Sequence, residues 1–80
     1  MQSFIATFHT HVSAIRTHRT LTKDGVSAQL SPVPRYLSAS CGTCVRYAAD
    51  DAHLALMDAD VERVVLLEEG ENYRILLENE

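Results

Sequence analysis

The pattern of hydrophobic and polar positions predicts five strands and two helices. The run SFIATF at residues 3–8 is apolar, with aromatic and β-branched members, and is typical of a buried strand. From Thr10 the apolar positions recur at helical spacing, and Asp24 followed by Gly25 supplies a stop with a residue suited to a left-handed cap. The run VSAQLS at residues 26–31 alternates, which predicts a half-buried strand.

The middle of the chain predicts a long loop before the third strand. In SPVPRYLSAS, residues 31–40, two prolines favour extended backbone and remove backbone donors, and the tract after them has no period. A loop longer than the usual few residues often carries function. The run TCVRY at residues 43–47 predicts a strand, and Asp50 or Asp51 would cap a second helix that ends near Asp60.

The end of the chain predicts a hairpin. VERVVLL (61–67) and YRILLE (73–78) have strand character and flank a turn, EEGEN (68–72). The element order is that of an α+β, ferredoxin-like β-α-β-β-α-β sandwich with an additional C-terminal hairpin strand. Right-handed crossovers would make strands one and three antiparallel neighbours. Residues 9–11, at the end of strand one, should then lie near Cys41, at the start of strand three.

Length and composition narrow the class of protein. Eighty residues make one small domain, 1–80, with a modest core. The net charge is −4, and nothing resembles the extended run of positive charge that nucleic-acid binding needs, so we predict no nucleic-acid partner. The start of the chain lacks the pattern of a signal peptide, and no stretch approaches the roughly 20 apolar residues of a membrane span. We therefore expect a cytoplasmic protein without a membrane partner.

Both cysteines lie in one CxxC motif, as Cys41 and Cys44. Because cytoplasmic thiols stay reduced, the motif indicates metal binding, catalysis or redox chemistry before a structural disulfide. A thiol is a good nucleophile only as the thiolate, which cations and helix N-termini stabilise. The predicted sheet edge offers the amino end of the first helix and the side chains of His9, His11 or Arg35.

Each cysteine also has a structural alternative. Cys41 is either a reactive thiol in the loop that also carries Ser40, or a small, partly buried residue at a strand start. Gly42 beside it would let a substrate or another backbone approach closely. Cys44 is either a resolving cysteine or a small residue on the sheet face beside Arg46.

Metal, enzyme and assembly hypotheses follow from the same residues. Cys41 and Cys44 with His9 and His11 would supply the S₂N₂ set that zinc accepts, but histidines two apart at a strand-to-helix junction need not converge. We expect no resident metal or cofactor.

No acid/base carboxylate pair accompanies the cysteines and the chain has little room for a substrate cavity, so we expect no enzyme. Bulky residues on both faces of the final hairpin predict a candidate homo-oligomer contact.

The segments TFHTHVSAIRTHRTL and SPVPRYLSASCGTCVRY resemble the small selenium/sulfur carrier-like protein family. The resemblance covers roughly residues 4–60. The positions that match the family pattern are Thr7, Phe8, His9, Pro32, Val33, Pro34, Arg35, Ser38, Ser40, Cys41, Gly42, Arg46 and Tyr47.

The resemblance implies a carrier that holds sulfur or selenium on Cys41, as a persulfide or perselenide, and passes it from donor to acceptor proteins. His9 and His11 would stabilise the anion, and Arg35 and Ser40 would position the donor or partner. Cys44 stands where the family commonly has a small residue such as Ala, which puts a two-cysteine mechanism in doubt. The alternatives are a CxxC thiol-disulfide redox module and a structural zinc-binding or interaction domain.

Overall fold

The computed structural model describes residues 1–70 and 72–79, which form a five-stranded antiparallel sheet and one α-helix. The elements are β1 (Gln2–Phe8), α1 (His11–Lys23), β2 (Ser27–Pro32), β3 (Thr43–Ala49), β4 (Val61–Leu67) and β5 (Tyr73–Glu78). The strand order is β2-β3-β1-β4-β5. The protein is therefore of the α+β class, and all five predicted strands are confirmed.

Strand β1 lies at the centre of the sheet and supplies much of the core. Phe4 lies opposite Tyr47 of β3 on one side and Leu66 of β4 on the other, and both pairings are antiparallel. The rings of Phe4 and Tyr47 stack with centroids 5.0 Å apart. Burying a side chain such as Phe8 contributes about 1.5–3 kcal/mol. The predicted antiparallel contact of the first and third strands is confirmed.

Helix α1 forms where its cap residues and apolar period predict it. Thr10 is the N-cap, and its hydroxyl accepts the Ser13 N–H at 3.2 Å. At the other end Gly25 has a φ of 83°, a conformation that glycine adopts without strain. The buried side of the helix is Ser13, Ala14, Thr17 and Leu21. No helix in the described part of the chain is long and apolar enough to cross a membrane.

The predicted second helix is wrong. Between β3 and β4 the helical structure is a single 3₁₀ turn, Leu54–Leu56, preceded by His53 in the left-handed region at φ 53°. The segment is held to α1 instead, because Asp58 accepts the Ser13 hydroxyl at 2.7 Å and donates its N–H to Thr17 Oγ1 at 3.0 Å. A helix this short gains too little from propensity to displace such contacts.

The predicted loop between β2 and β3 is present and covers the sheet face opposite α1. Leu37 of this loop packs into a second buried cluster whose other members are Ile5, Cys44 and Val65. Tyr36 stacks on Tyr73 of β5, with ring centroids 5.9 Å apart. The loop is therefore packed on the sheet, and its end, which carries Cys41, has a defined position.

Strands β4 and β5 form the predicted hairpin. The N–H of Glu68 donates to the carbonyl of Asn72 at 2.9 Å, and Gly70 has a φ of 69°. The predicted turn also contains Glu71, which lies outside the described residues. Tyr73 and Ile75 of β5 are exposed. The contact with a second copy stays a prediction.

Candidate thiol site

Cys41 lies at the end of the long loop, two residues before β3, and its side chain is half-buried. Its sulfur accepts the backbone N–H of Thr43 at 3.4 Å. The same sulfur lies 3.7 Å from the Thr43 carbonyl, to which a protonated thiol donates. The backbone of Thr43 therefore offers the sulfur both a hydrogen-bond donor and a hydrogen-bond acceptor.

The amino end of α1 reaches this part of the loop through His11. Its Nδ1 atom lies 3.1 Å from the hydroxyl of Thr43, the residue whose N–H meets the Cys41 sulfur. The first turn of a helix presents unsatisfied N–H groups and the positive end of the helix dipole. The His11 imidazole and the amino end of α1 therefore lie against Thr43, the same residue that contacts the Cys41 sulfur.

The other predicted imidazole, His9, lies against the residue before Cys41. Its Nδ1 is 3.4 Å from the hydroxyl of Ser40 and 3.9 Å from the carboxylate of Glu62. Glu62 in turn accepts both the Ser40 N–H, at 3.0 Å, and the Ser40 hydroxyl, at 2.9 Å. His9, Ser40 and Glu62 therefore form one hydrogen-bonded cluster beside the thiol.

Glu62 is a site residue that the hydrophobic pattern of the sequence does not indicate. A register shift between Thr7 and Phe8 sets Phe8 opposite Val61 and Thr7 opposite Arg63, which leaves Glu62 as an extra residue in β4. Such bulges turn a side chain away from the alternation of its strand. Burial works against ionisation, but the Ser40 hydrogen bonds and the nearby His9 and Arg63 outweigh it, so the pKa of Glu62 is lowered.

Arg63 fastens the same loop from the other side. Its Nη1 donates to the carbonyl of Ser38 at 2.7 Å, and its Nη2 forms an ion pair with Glu78 of β5 at 2.8 Å. Two consecutive residues of β4, Glu62 and Arg63, therefore hold the loop at Ser38 and Ser40. The sequence pattern does not indicate this role, because charged residues on a strand are usually exposed to solvent.

Gly42 and Arg35 belong to the same stretch of chain as the thiol, and their roles stay predictions. A Cβ atom placed on Gly42 would meet nothing within 4 Å, so the backbone beside the thiol faces open space. The Gly42 carbonyl accepts the N–H of Val33 at 3.1 Å, which closes the base of the loop. Arg35 is exposed on the loop between these two residues. A donor or partner can therefore approach the thiol over Gly42.

Cys44 is placed differently from Cys41. It is fully buried, on the sheet face covered by the loop, and its sulfur lies 3.6 Å from the Pro32 carbonyl. Burial raises the pKa of the Cys44 thiol and outweighs the opposing charge of Arg46. A buried, protonated thiol is a poor nucleophile. Its burial and raised pKa therefore favour the structural interpretation of Cys44, as a small residue packed on the sheet face.

Arg46 lies on the same sheet face and away from the thiol. Its Nε donates to the Ser31 hydroxyl at 3.1 Å, and it lines an open trough of about 330 Å³. Within β3 alone, the three residue steps from Thr43 to Arg46 span about 10 Å. Among the described residues, no group of three or more His, Cys, Asp or Glu side chains could hold a metal ion.

Comparisons with known proteins show the family of this chain. A family model described as "Putative Se/S carrier protein-like" matches residues 3–75. The uncharacterized protein YtiA of Escherichia coli strain K12 is 36% identical over 45 residues, which make up 56% of this chain and 53% of that protein. The match thus spans about half the length of that relative, and no solved structure matches. Because the family model covers nearly the whole chain, the resemblance is confirmed and the protein belongs to the Se/S carrier protein-like family.

Proposed function

We propose that the protein is a small cytoplasmic carrier that holds a persulfide or perselenide on Cys41 and delivers it to a partner protein. The observation that carries the proposal is the contact between the Cys41 sulfur and the Thr43 N–H at 3.4 Å, at a half-buried position beside the amino end of α1. A terminal persulfide is an anion near neutral pH, and the N–H groups at the amino end of α1 are donors that an anion can use. Membership of the Se/S carrier protein-like family supports the same cargo.

The transfer balances without an added oxidant or reductant. The Cys41 thiolate attacks the outer sulfur of a donor persulfide, a new S–S bond forms on Cys41, and the S–S bond of the donor breaks. The donor leaves as a thiolate and takes up a proton. Delivery is the same exchange in reverse, as an acceptor thiolate attacks the outer sulfur and Cys41 leaves as the thiolate. With selenium, the outer atom is selenium and the electron count is the same.

The proposal uses one thiol and leaves Cys44 out of the exchange. A resolving cysteine must reach the persulfide as a thiolate, whereas Cys44 is fully buried and its pKa is raised by burial. The thiol-disulfide alternative needs that second thiolate, and among residues 1–70 and 72–79 no contact of the site favours it. The donor and acceptor proteins supply the remaining chemistry, so we propose a carrier rather than an enzyme.

The fold supports a narrower description as well. The order β2-β3-β1-β4, with α1 connecting β1 and β2, follows the split β-α-β arrangement of ferredoxin-like proteins. We propose that the domain is a reduced ferredoxin-like sandwich in which the 3₁₀ turn Leu54–Leu56 and its flanking segment replace the second helix. The loop then covers the sheet face that such sandwiches usually leave open.

Sulfur loading tests the function. The reduced protein is incubated with a small persulfide donor, and its intact mass is measured. The wild type and Cys44→Ala should gain the mass of one sulfur atom, and Cys41→Ser should gain none. If Cys41→Ser gains sulfur as readily as the wild type, the proposal fails.

A further inference from the structure

Helix α1 carries positive charge and no negative charge. Three of the seven Lys and Arg residues of the chain lie on this helix, and none of the eleven Asp and Glu residues does. The helix therefore contributes +3 to the net charge of −4, and the rest of the chain contributes −7. The charge of the molecule is strongly asymmetric, with a basic face on α1.

Four exposed residues of α1 form a stripe, which we call the basic stripe: Val12, Arg16, Arg19 and Lys23. Their spacing of four, three and four places them on one side of the helix, opposite the side that packs on the sheet. Val12 is apolar and 54% exposed. Arg16 lies 3.9 Å from Asp58, yet 65% of its side chain is exposed to solvent.

The basic stripe begins at Val12, the residue after His11, which links the helix to the thiol site. Helix α1 starts with His11, whose ring contacts Thr43, and the Thr43 N–H contacts the Cys41 sulfur. From there the 13 residues of the helix extend for about 20 Å. A protein that lies along the basic stripe therefore has one end of its contact surface next to His11, whose ring contacts Thr43 of the thiol site.

We propose that the basic stripe docks an acidic surface of the protein that exchanges sulfur or selenium with Cys41, an inference that rests on the proposed function for the role of that partner. Carboxylates of the partner meet Arg19 and Lys23, and Val12 supplies an apolar contact at the thiol end. The negative charge of the other faces repels the same partner. Charge complementarity of this kind orients an encounter and speeds it, here with Cys41 facing the partner.

A nucleic acid fits the basic stripe less well. Nucleic-acid interfaces are much more positive than other interfaces. The stripe offers three cations, one of which already lies near Asp58, and the remaining −7 of the chain repels a polyphosphate. An acidic protein surface has a lower charge density and also offers apolar area to Val12.

The experiment is a titration of ¹⁵N-labelled protein at low salt with an oligoglutamate peptide, with oligoglutamine as the neutral control. The comparison is between Arg19→Glu and Arg74→Glu, since Arg74 is 66% exposed on β5 and gives the same change in charge. Lys23 is left intact because a cation in the last turn stabilises a helix whatever it binds.

We expect amide shifts confined to the basic stripe and its neighbours. Arg19→Glu should weaken binding by about fivefold, and Arg74→Glu by less than about twofold. Equal weakening by the two variants, shifts spread over the β5 side, or no saturable binding of oligoglutamate would each overturn the proposal. Tighter binding of single-stranded DNA of matched length would overturn it in favour of a nucleic acid.

The titration needs no sulfur chemistry, so it separates the two proposals. It is repeated with Cys41→Ser, which should bind oligoglutamate as the wild type does. If the protein fails to load sulfur but still binds oligoglutamate at the basic stripe, only the carrier function is contradicted. Loss of selective binding in a protein that still loads sulfur sinks the docking proposal alone.

Discussion

The carboxylate of Glu62 accepts both the N–H and the hydroxyl of Ser40, at 3.0 and 2.9 Å, and so ties the residue before Cys41 to strand β4. Side chains near a reactive sulfur must be held in place if they are to favour one charge state of it. Here a residue distant in sequence provides that support. The position of the thiol therefore depends on β4 as much as on the loop.

Glu62→Gln should lower the free energy of unfolding at neutral pH by about 1 kcal/mol, because hydrogen bonds to a carboxylate are stronger than those to an amide. Since the pKa of Glu62 is lowered in the folded protein, its contribution is complete above the pKa of the unfolded chain. That contribution is lost as the pH falls through the lower, folded-state pKa. Urea unfolding at neutral and acidic pH measures the difference.

The control for that variant is Glu69→Gln, an exposed turn residue. It should change the free energy of unfolding by less than about 0.5 kcal/mol at either pH. A deficit of Glu62→Gln that is the same at neutral and at acidic pH would show that the charge of Glu62 has no part in holding the loop.

The two thiols should differ in reactivity. Iodoacetamide should label Cys41 in the native protein, because its side chain is half-buried beside open space at Gly42. Cys44 is fully buried with a raised pKa, so it should be labelled only after unfolding. Peptide mass analysis at low and high urea measures both rates. Native labelling of Cys44 at a rate near that of Cys41 would contradict the structure.

Thr43→Val should slow alkylation of Cys41 by about two- to fivefold, because it removes the contact that holds the amino end of α1 against the thiol site. Valine keeps the N–H that meets the sulfur but loses the hydroxyl that lies 3.1 Å from His11. His11→Asn should have a similar effect. The double variant should be no slower than either single variant, because both substitutions remove the same contact, the one between the His11 ring and the Thr43 hydroxyl. Rates that multiply in the double variant would show that the two residues act independently.

Ser13→Ala should lower the free energy of unfolding by about 1–3 kcal/mol. The Ser13 hydroxyl is buried and donates to Asp58 at 2.7 Å, and this bond is the main reason that the pKa of Asp58 is lowered. The loss should therefore shrink in acid as Asp58 becomes protonated. Urea unfolding checks this, with the exposed Thr20→Ala as control. An equal loss in both variants would remove the special role of the Ser13 contact.

Much of the fold could be predicted from the sequence because its local signals agree. The apolar run of β1, the Thr10 cap and the Gly25 stop each favour one structure, and the handedness of crossovers then fixes the neighbours of β1. The second helix could not be excluded in this way. The helix does not form because Ser13 and Thr17, from a distant part of the chain, hydrogen-bond to Asp58.

The candidate site was predictable only as far as topology determines it. The meeting of strands one and three brought His9 to Ser40 and His11 to Thr43, one residue before and two residues after Cys41. Glu62 was not predictable, because the bulge that turns it toward Ser40 depends on the register of β1 and β4. Burial of Cys44 likewise depends on how the loop packs over the sheet.

The most direct test of the account is to locate the added atom in the wild-type protein after sulfur loading. The loaded protein is alkylated to cap the persulfide, digested, and the peptide that contains both cysteines is fragmented in the mass spectrometer. We predict a capped persulfide on Cys41 and an unmodified thiol at Cys44. A persulfide on Cys44, or a disulfide between the two cysteines in place of any adduct, would contradict the single-thiol carrier.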